Sequence, residues 1–476
     1  MTLRSRFIAT AACAALAPVL LATSAVAASP VTTGPSSSQS PYLLPVAPGV
    51  TNTSLLTVGD AADNGYRMVG IPDGLGAFDN GDGTITVLMN HELRSDRGIV
   101  RAHGSKGAFV SKWIIEKKTL KVLEGSDLIK QLVLVNGDSA IARLCSADLP
   151  PVSAFYNAAS GKGYKGRIFM DGEEDSSDAK GRGFAHVVDT GVSYDLPSLG
   201  RFAYENALAN PSTGDATVVV GTDDSTPGQV YVYAGEKRTD GTPVEKAGLV
   251  GGTLYGIKVA GGLDELNNPD FPLTSTFSLV ELADADQQNV SQLQAASEAA
   301  GVTEFWRPED GHWDPSNPNV LWFNTTANFD GPTRLWKATF ADAAKPELGG
   351  TIEAALAGTE GLHMLDNLTV ADKGGQVILQ EDPGNQAYLA RVYSYNTRTD
   401  RVTPILEHDA TRFATGGAEF LTIDEESSGV IDLSSLLGEG SFLLTTQVHK
   451  TSDDPELVEG GQLQLVRVPW KTNGVN

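Results

Sequence analysis

The stretch of this chain that is richest in reactive side chains is Arg307-Pro308-Glu309-Asp310-Gly311-His312-Trp313-Asp314-Pro315, with an arginine, three carboxylates and an imidazole. Its proline and glycine residues are typical of turns, so the sequence predicts a loop here. A buried Arg-x-Glu at the inner end of a sheet strand can bind a hard cation through Glu309 and an anionic oxygen through Arg307. The alternative is a surface turn with a local ion pair.

Other acidic motifs fall at the ends of short apolar runs. They are Asn90-His91-Glu92 after Val87-Leu88-Met89, Glu173-Glu174 within Asp171–Asp175, Glu205-Asn206, Asp366-Asn367 and Glu381-Asp382. In a β-propeller the inner strands converge on a central channel, so carboxylates at the ends of different strands can meet there. Because so many uncompensated carboxylates in one place require cations, these motifs favour a metal-lined channel mouth over scattered turn acids.

The elements that would position these residues are short strands separated by Asp, Asn and Gly turns. Strands are predicted at Thr84–Met89, Ala216–Val220, Gln229–Tyr233, Thr253–Val259, Val320–Asn324, Arg334–Phe340, Gln376–Gln380, Leu389–Tyr395, Phe442–Thr446 and Gln462–Val468. Short helices are predicted at Asp284–Ala300 and Phe340–Ala344 as insertions. Many such strands, spread evenly and without a domain linker, favour an all-β propeller over a sandwich.

The N-terminus has the pattern of a secretory signal peptide. Arg4 and Arg6 precede an apolar run from Phe7 through Leu21, and Ala25-Val26-Ala27 offers a cleavage site. A membrane anchor is the alternative, but the apolar run is short for a span and no later segment could cross a bilayer. We therefore predict a signal peptide at 1–27, a flexible segment at 28–42, one propeller domain at 43–476, and a soluble exported protein.

Charge and cysteine content narrow the function further. The full chain has a net charge of −24, and loss of Arg4 and Arg6 with the signal makes it more acidic still. Phosphate backbones would repel such a chain, so nucleic acid is not expected as a partner. Only Cys145 remains after cleavage, which excludes an internal disulfide. Cys145 is either an inert buried residue or a thiolate ligand for a transition metal.

The order of these motifs resembles the PhoX-type alkaline phosphatases. They are secreted, monomeric, six-bladed propellers that hold iron and calcium ions and hydrolyse phosphomonoesters. The resemblance assigns catalytic roles to Asn90 and Arg307, and it assigns metal binding to Glu92, Cys145, Glu174, Glu205, Glu309, Asp366, Glu381, Asp382 and Glu419. It implies Ca²⁺ and Fe³⁺ as cofactors, a small phosphomonoester as substrate, and a monomer. Within this set, the thiol and Glu174, Glu205 and Glu309 would hold the redox-capable metals, while Asp366, Glu381 and Asp382 would suit calcium.

The chain also departs from the family pattern. Cys145 lies in Leu-Cys-Ser-Ala-Asp-Leu, without the glycines that usually follow the cysteine, and Gly172 stands where a cysteine is common. His91 and His312 are expected to be structural residues, and Asp223–Gly228 reads as a solvated turn. The alternative function is a calcium-stabilised extracellular propeller that binds a ligand and catalyses nothing. Convergence of Cys145, Glu174, Glu205 and Glu309 would separate the two.

Overall fold

The computed structural model of the protein describes residues 30–469, so the predicted signal peptide lies outside the described residues. The strands are β1 (Val31–Thr33), β2 (Leu43–Pro45), β3 (Thr51–Thr57), β4 (Pro72–Asp79), β5 (Thr84–His91), β6 (Phe109–Glu116), β7 (Val122–Asp127), β8 (Gln131–Val133), β9 (Tyr156–Asn157), β10 (Lys162–Gly163), β11 (Ile168–Gly172), β12 (Gly183–Val187), β13 (Val192–Asp195), β14 (Tyr204–Ala209), β15 (Ala216–Asp223), β16 (Val230–Glu236), β17 (Thr253–Val259), β18 (Thr274–Leu282), β19 (Pro308–Trp313), β20 (Val320–Thr326), β21 (Thr333–Phe340), β22 (Gly350–Leu356), β23 (Leu365–Ala371), β24 (Gln376–Glu381), β25 (Arg391–Asn396), β26 (Arg401–His408), β27 (Glu425–Asp432), β28 (Ser441–Val448) and β29 (Gly460–Arg467).

The helices are short and lie between strands. The α-helices are α1 (Pro243–Lys246), α2 (Val290–Ala300), α3 (Ala410–Phe413) and α4 (Ser434–Leu437), and 3₁₀ turns lie at Val152–Ala154, Pro197–Leu199, Ala285–Gln287, Pro346–Leu348 and Asp372–Gly374. The all-β class with short helical insertions is therefore confirmed. The longest helix, α2, falls within the predicted helical segment Asp284–Ala300, where Asn289 caps its first turn.

The strands follow one another as antiparallel neighbours in compact groups. Separate sheets contain β4–β7, β11–β13 with β8, β23–β26 with β2, and β27–β29 with β3 and β1. The nine-stranded sheet joins β14–β17 to β19–β22 through β18. Because one continuous sheet spans two of the four-strand groups, the sheets alone do not give a blade count, and the predicted number of six blades stays a prediction.

The first strands of most neighbouring groups lie side by side. Thus β14 contacts β11 and β19, β23 contacts β19 and β27, and β27 contacts β4. Apolar side chains fill the space between neighbouring groups, with the fully buried Trp113 and Trp336 among the largest. This packing of apolar faces holds the first strands in place around a shared, polar interior.

The last group is completed by a strand from the beginning of the chain. β3 pairs antiparallel with β29, and β1 extends the same sheet by pairing parallel with β3. Part of the segment predicted to be flexible, 28–42, is thus a strand of the last sheet, and Tyr42 at its end is buried. The division of the chain into segment and domain stays a prediction.

Two local predictions are wrong. The predicted helix Phe340–Ala344 does not form, because Phe340 ends strand β21 and a turn follows it. The predicted loop at 307–315 contains strand β19, which pairs with β20 through an irregular register between Pro308 and Gly311. This irregularity explains the error, since it accommodates a turn-like sequence within a sheet.

Candidate metal centre

The polar interior is built from one structural unit that occurs six times. In each unit the start of a first strand is bridged to the end of the next strand along the chain. The bridged pairs are Pro72 with His91, Leu144 with Glu173, Tyr204 with Asp223, Pro308 with Thr325, Leu365 with Glu381, and Glu425 with Val448. In the second unit, residues 144–148 take the place of the first strand by bridging to β11 and its flanking residue.

Three residues next to each bridged pair define three sets of side chains around the polar interior. The residue after the first member forms the inner set, which consists of Asp73, Cys145, Glu205, Glu309, Asp366 and Glu426. The residue after the second member forms the outer set, which consists of Glu92, Glu174, Asp224, Thr326, Asp382 and His449. The residue before the first member forms the mouth set, which consists of Ile71, Arg143, Ala203, Arg307, Met364 and Asp424. In every unit the outer-set N–H donates to the mouth-set carbonyl, at 2.9–3.0 Å.

The ligand atoms of the two sets converge into four overlapping groups. Within each group they lie within 4.8 Å of one another, and the groups are Asp73, Glu92 and Cys145; Cys145, Glu174 and Glu205; Glu205, Glu309 and Asp366; and Asp366, Asp382 and Glu426. Since consecutive groups share a residue, the described residues form one continuous band of carboxylates interrupted by a thiol. Oxygen ligands of this kind suit Ca²⁺, and a thiolate suits a transition metal.

Most of the metal ligands predicted from the sequence meet in this band. They are Glu92, Cys145, Glu174, Glu205, Glu309, Asp366 and Asp382. They include Cys145, Glu174, Glu205 and Glu309, whose convergence favours the phosphatase over the binding module. The Cys145 Sγ donates to Oε2 of Glu174 at 2.8 Å, and Ser146 donates to Oε1 of Glu205 at 2.5 Å.

Two predicted ligands do not join the band. Glu381 is the bridged residue of its unit, and its carboxylate accepts hydrogen bonds from the backbone N–H groups of His363 and Arg391 and from the Tyr388 hydroxyl. Glu419 is a surface residue with a 64% exposed side chain, and it pairs with Arg412 at 3.3 Å. Both side chains therefore have structural partners elsewhere, and the next residue along, Asp382, is the one that reaches the band.

Asn90 lies beneath the band rather than at its open side. Its Nδ2 donates to the carbonyl of Cys145 at 2.9 Å, and Asn90 is fully buried. Its Oδ1 has no hydrogen-bond partner among residues 30–469. The Nδ2 group therefore holds the backbone of the Cys145 segment, and the catalytic role of Asn90 stays a prediction.

Arginines approach the band from the mouth set. Arg307 donates from Nε and Nη2 to the two oxygens of Asp224 at 2.7 and 2.9 Å, and its Nη2 lies 3.2 Å from Oε1 of Glu309. Arg143 pairs with Glu174 and lies 3.8 Å from Glu92. The two guanidiniums therefore contact carboxylates of the inner and outer sets.

Burial and mutual repulsion dominate the electrostatics of the band. Burial, reinforced by neighbouring carboxylates, raises the pKa of Glu205, Glu309 and Asp366 well above its usual value. The pKa of Asp382 is raised to about 8 for the same reasons. Burial and Glu174 likewise raise the pKa of the Cys145 thiol. Without cations, these groups hold protons that they would otherwise release.

One imidazole partly compensates this charge. His449 lies between Glu459, 2.7 Å from Nδ1, and Glu426, 3.6 Å from Nε2. Burial opposes protonation of His449, but its interactions with these two carboxylates raise its pKa to about 12. His91 and His312 have protein partners: His91 shares a hydrogen bond with Ser111, and His312 bonds to the carbonyl of Trp313.

Several site residues escaped the sequence analysis. Asp73, Arg143, Asp224, Glu426 and His449 belong to the three sets but to none of the motifs selected. In the structure Asp73 and Glu426 are each the second residue of a strand, as Glu205, Glu309 and Asp366 are, but these strand starts are set by pairing and carry no motif in the sequence. Asp224 was assigned to a solvated turn, whereas its side chain is only 8% exposed.

A cavity of about 470 Å³ opens beside the band. Its wall includes Arg143 and Ala203 of the mouth set and Glu174 and Asp224 of the outer set. Most of the remaining lining is also polar or charged, with Arg94 and other side chains on the far wall. A small anionic ligand that enters this cavity therefore meets the Arg94 and Arg143 side chains next to Glu174 and Asp224.

Comparison with known proteins agrees with the resemblance seen in the sequence. Residues 189–347 match the family described as alkaline phosphatase PhoX. The fold is similar to that of Pseudomonas fluorescens PhoX in complex with vanadate, with a TM-score of 0.59, 12% identity, and coverage of 90% of this chain and 96% of that chain. An oligogalacturonate lyase from Vibrio parahaemolyticus scores only 0.33, at 10% identity over 85% of this chain and 100% of that one. No curated protein matches.

Proposed function

We propose, from the family match and the acidic band beneath the cavity, that the protein is a metal-dependent phosphatase that hydrolyses phosphomonoesters. The observation that carries the proposal is the convergence of a thiol, buried carboxylates and the Arg307 guanidinium. Cys145, Glu174 and Glu205 place ligand atoms within 4.8 Å of one another, and Glu309 joins them through Glu205. Arg307 lies directly against Glu309.

The donor set fits metal ions. Buried carboxylates this close together repel one another unless cations or protons neutralise them, and the described cationic partners number fewer than the acids of the band. Glu205, Glu309, Asp366, Asp382 and Glu426 supply hard oxygen ligands for Ca²⁺, while the Cys145 thiolate with Glu174 and Glu205 would hold iron. Bound there, the metals would supply Lewis-acid polarisation of the phosphoryl oxygens.

The protein's own side chains would orient and neutralise the substrate. Arg307 presents a planar fork of donors, which suits the phosphoryl oxygens, and Asp224 fixes the plane of that fork through two hydrogen bonds. As charge develops on the transferring phosphoryl group, the guanidinium stabilises it without having to reorganise. Asn90 acts indirectly, because its amide holds the Cys145 carbonyl and thereby the thiol.

A non-catalytic calcium-stabilised propeller fits less well. Such a binding module would use Asp366, Asp382 and Glu426, but it would give no reason for Cys145 and Arg307 to meet at the same band. The cavity also leads to that band past charged groups, and it lacks the apolar lining that is usual in ligand pockets. The catalytic function is therefore the better explanation of the whole set.

The N-terminal sequence supports a proposal about where the enzyme acts. We propose that residues 1–27 direct export and are removed, and that the mature enzyme acts outside the cytoplasm as a monomer on small phosphomonoesters. No helix among residues 30–469 is long and apolar enough to cross a bilayer. Because the protein has an excess of acidic residues, nucleic acid is not a proposed partner.

Turnover and metal content measured on one sample test the proposal. The exported protein, purified without chelator, is assayed with p-nitrophenyl phosphate at alkaline pH with and without added Ca²⁺, and its iron and calcium are measured by elemental analysis. We expect calcium-dependent hydrolysis by protein that contains iron. Calcium binding without turnover on any phosphomonoester would instead identify a binding module.

A further inference from the structure

Arg143 occupies the same structural position as Arg307. Both belong to the mouth set, and the carbonyl of each accepts a hydrogen bond from the outer-set residue of its unit, Glu174 or Thr326. Both also have a left-handed backbone, with φ of 27° at Arg143 and 51° at Arg307. Ile71 and Met364 of the mouth set also have a left-handed backbone, so this conformation is a feature of the repeated unit, in which Arg143 and Arg307 hold equivalent positions.

Short contacts hold Arg143 at the edge of the acidic band. Its backbone N–H donates to the carbonyl of Leu93 at 2.9 Å, which anchors it between the strand ends that carry Glu92 and Glu174. Its Nε donates to the Glu174 carbonyl at 3.1 Å, and Nη2 donates to the Glu174 carboxylate. The side chain nevertheless remains 43% exposed, and it lines the cavity. The guanidinium is therefore fixed in position and still accessible to a ligand.

The unit between the two arginines leaves space for a ligand. Its mouth-set residue is Ala203, the smallest of that set, and Ala203 lines the cavity together with Arg143 and Asp224. Arg307 belongs to the unit on the other side of Ala203, and it donates to both carboxylate oxygens of Asp224, which lines the same cavity. Arginines therefore stand on either side of the one unit whose mouth residue has almost no side chain.

We infer that Arg143 and Arg307 bind the same phosphoryl group from opposite sides, above Ala203, and that Arg143 is the second phosphate-binding arginine of the site. This inference rests on the proposed function. Two forked guanidiniums match the several oxygens of a phosphate dianion better than one, and they offset the repulsion of the acidic band below. Nη1 of Arg143 lies 3.8 Å from Glu92, which is its described ion contact. At this distance Nη1 can still donate to a phosphoryl oxygen.

The test compares Arg143→Ala and Arg143→Lys with the parent and with Arg391→Ala. Arg391 is a matched control, since its side chain is 38% exposed and pairs with Glu407 away from the band. For each protein, orthophosphate binding is measured by calorimetry, metal content by elemental analysis, and turnover with p-nitrophenyl phosphate. We expect Arg143→Ala to keep its metals and to bind orthophosphate about ten- to a hundredfold more weakly, with an intermediate loss for Lys.

The alternative outcomes separate the inference from the function on which it rests. Active enzyme with unchanged orthophosphate affinity in Arg143→Ala would overturn the inference and leave the phosphatase proposal intact. A parallel loss of metal and phosphate would also overturn it, because Arg143 would then act only by holding Glu174. In a third outcome the parent protein binds orthophosphate through Arg143 but hydrolyses no phosphomonoester. This outcome would support the anion site and overturn the phosphatase proposal.

Discussion

The guanidinium of Arg307 is held in one plane by Asp224, through hydrogen bonds of 2.7 Å from Nε and 2.9 Å from Nη2. The same arginine touches Glu309, so its orientation relative to the metal ligands depends on Asp224. Asp224→Asn would replace a charge-assisted, two-point contact with a weaker one. We expect kcat/KM for p-nitrophenyl phosphate to fall about tenfold, which corresponds to the loss of one charge-assisted hydrogen bond. Unchanged kinetics would mean that Arg307 is positioned by Glu309 alone.

Glu309 contributes to the centre of the band. It shares a group with Glu205 and Asp366 and is nearly fully buried. Glu309→Gln removes the charge with little change in shape, so metal binding should weaken and turnover should fall by more than about a hundredfold. Elemental analysis and a p-nitrophenyl phosphate assay on the same sample measure both. Glu407→Gln is the control, because Glu407 pairs with Arg391 at the surface, and this variant should behave like the parent. Full activity in Glu309→Gln would show that Glu309 is not part of the site.

The thiol of Cys145 should decide which metal is bound. It is the one sulfur ligand in the band, and soft thiolates select transition metals over calcium. Cys145→Ser should therefore lose iron while keeping calcium. The check is the ratio of iron to calcium in the purified variant, together with loss of any visible absorption shown by the parent. An unaltered ratio would show that the carboxylates alone hold iron.

Glu426 and Glu419 make a matched pair of predictions. Glu426 belongs to the group with Asp366 and Asp382, whereas Glu419 lies on the surface beside Arg412. Glu426→Gln should lower calcium content and raise the calcium concentration needed for half-maximal activity. Glu419→Gln should leave both unchanged and cost about 0–1 kcal/mol of unfolding free energy, as is usual for an exposed ion pair. Equal effects of the two substitutions would contradict this placement of the ligands.

Removal of the metals should make stability depend on pH in an unusual direction. In the metal-free fold the pKa of Asp382 is about 8 and that of Asp310 about 7, against 3.8 ordinarily, and burial is the first cause in each. Between pH of about 4 and about 8, the folded protein therefore holds protons that the unfolded chain has released, so the unfolding free energy falls as pH rises. Chelated protein should show a decreasing Tm across this range. Added Ca²⁺ should reverse the decrease by binding the ionised carboxylates, and a Tm that rises with pH after chelation would contradict the assigned burial.

The sequence indicated site residues that share one short motif, but it missed site residues that only strand pairing brings together. Arg-Pro-Glu and Glu-Glu are visible in one stretch of chain, and the alternation of short strands and turns suffices for the all-β class. Asp73, by contrast, becomes a site residue only because Pro72 bridges His91, which also brings Glu92 alongside. Strand register of this kind is set by long-range packing, and no fixed spacing in the sequence records it.

The same limit explains the misplaced residues. Glu381 and Asp382 are adjacent acids, and only the bridge between Leu365 and Glu381 determines that Asp382 faces the band. Arg143 carries no motif of its own, and its likeness to Arg307 is visible only in the backbone, where both carbonyls accept the same kind of hydrogen bond.

The pairing of β3 with β29 sets the order in which the protein can be completed. β3 lies near the start of the chain and β29 near its end, yet they are neighbours in one sheet. The acidic band likewise draws on residues from Asp73 to Glu426. A nascent chain therefore cannot close this sheet until β29 has been synthesised, and it cannot assemble the band until Glu426 has been synthesised. A metal ion that needs ligands from the whole band could therefore bind only after that point.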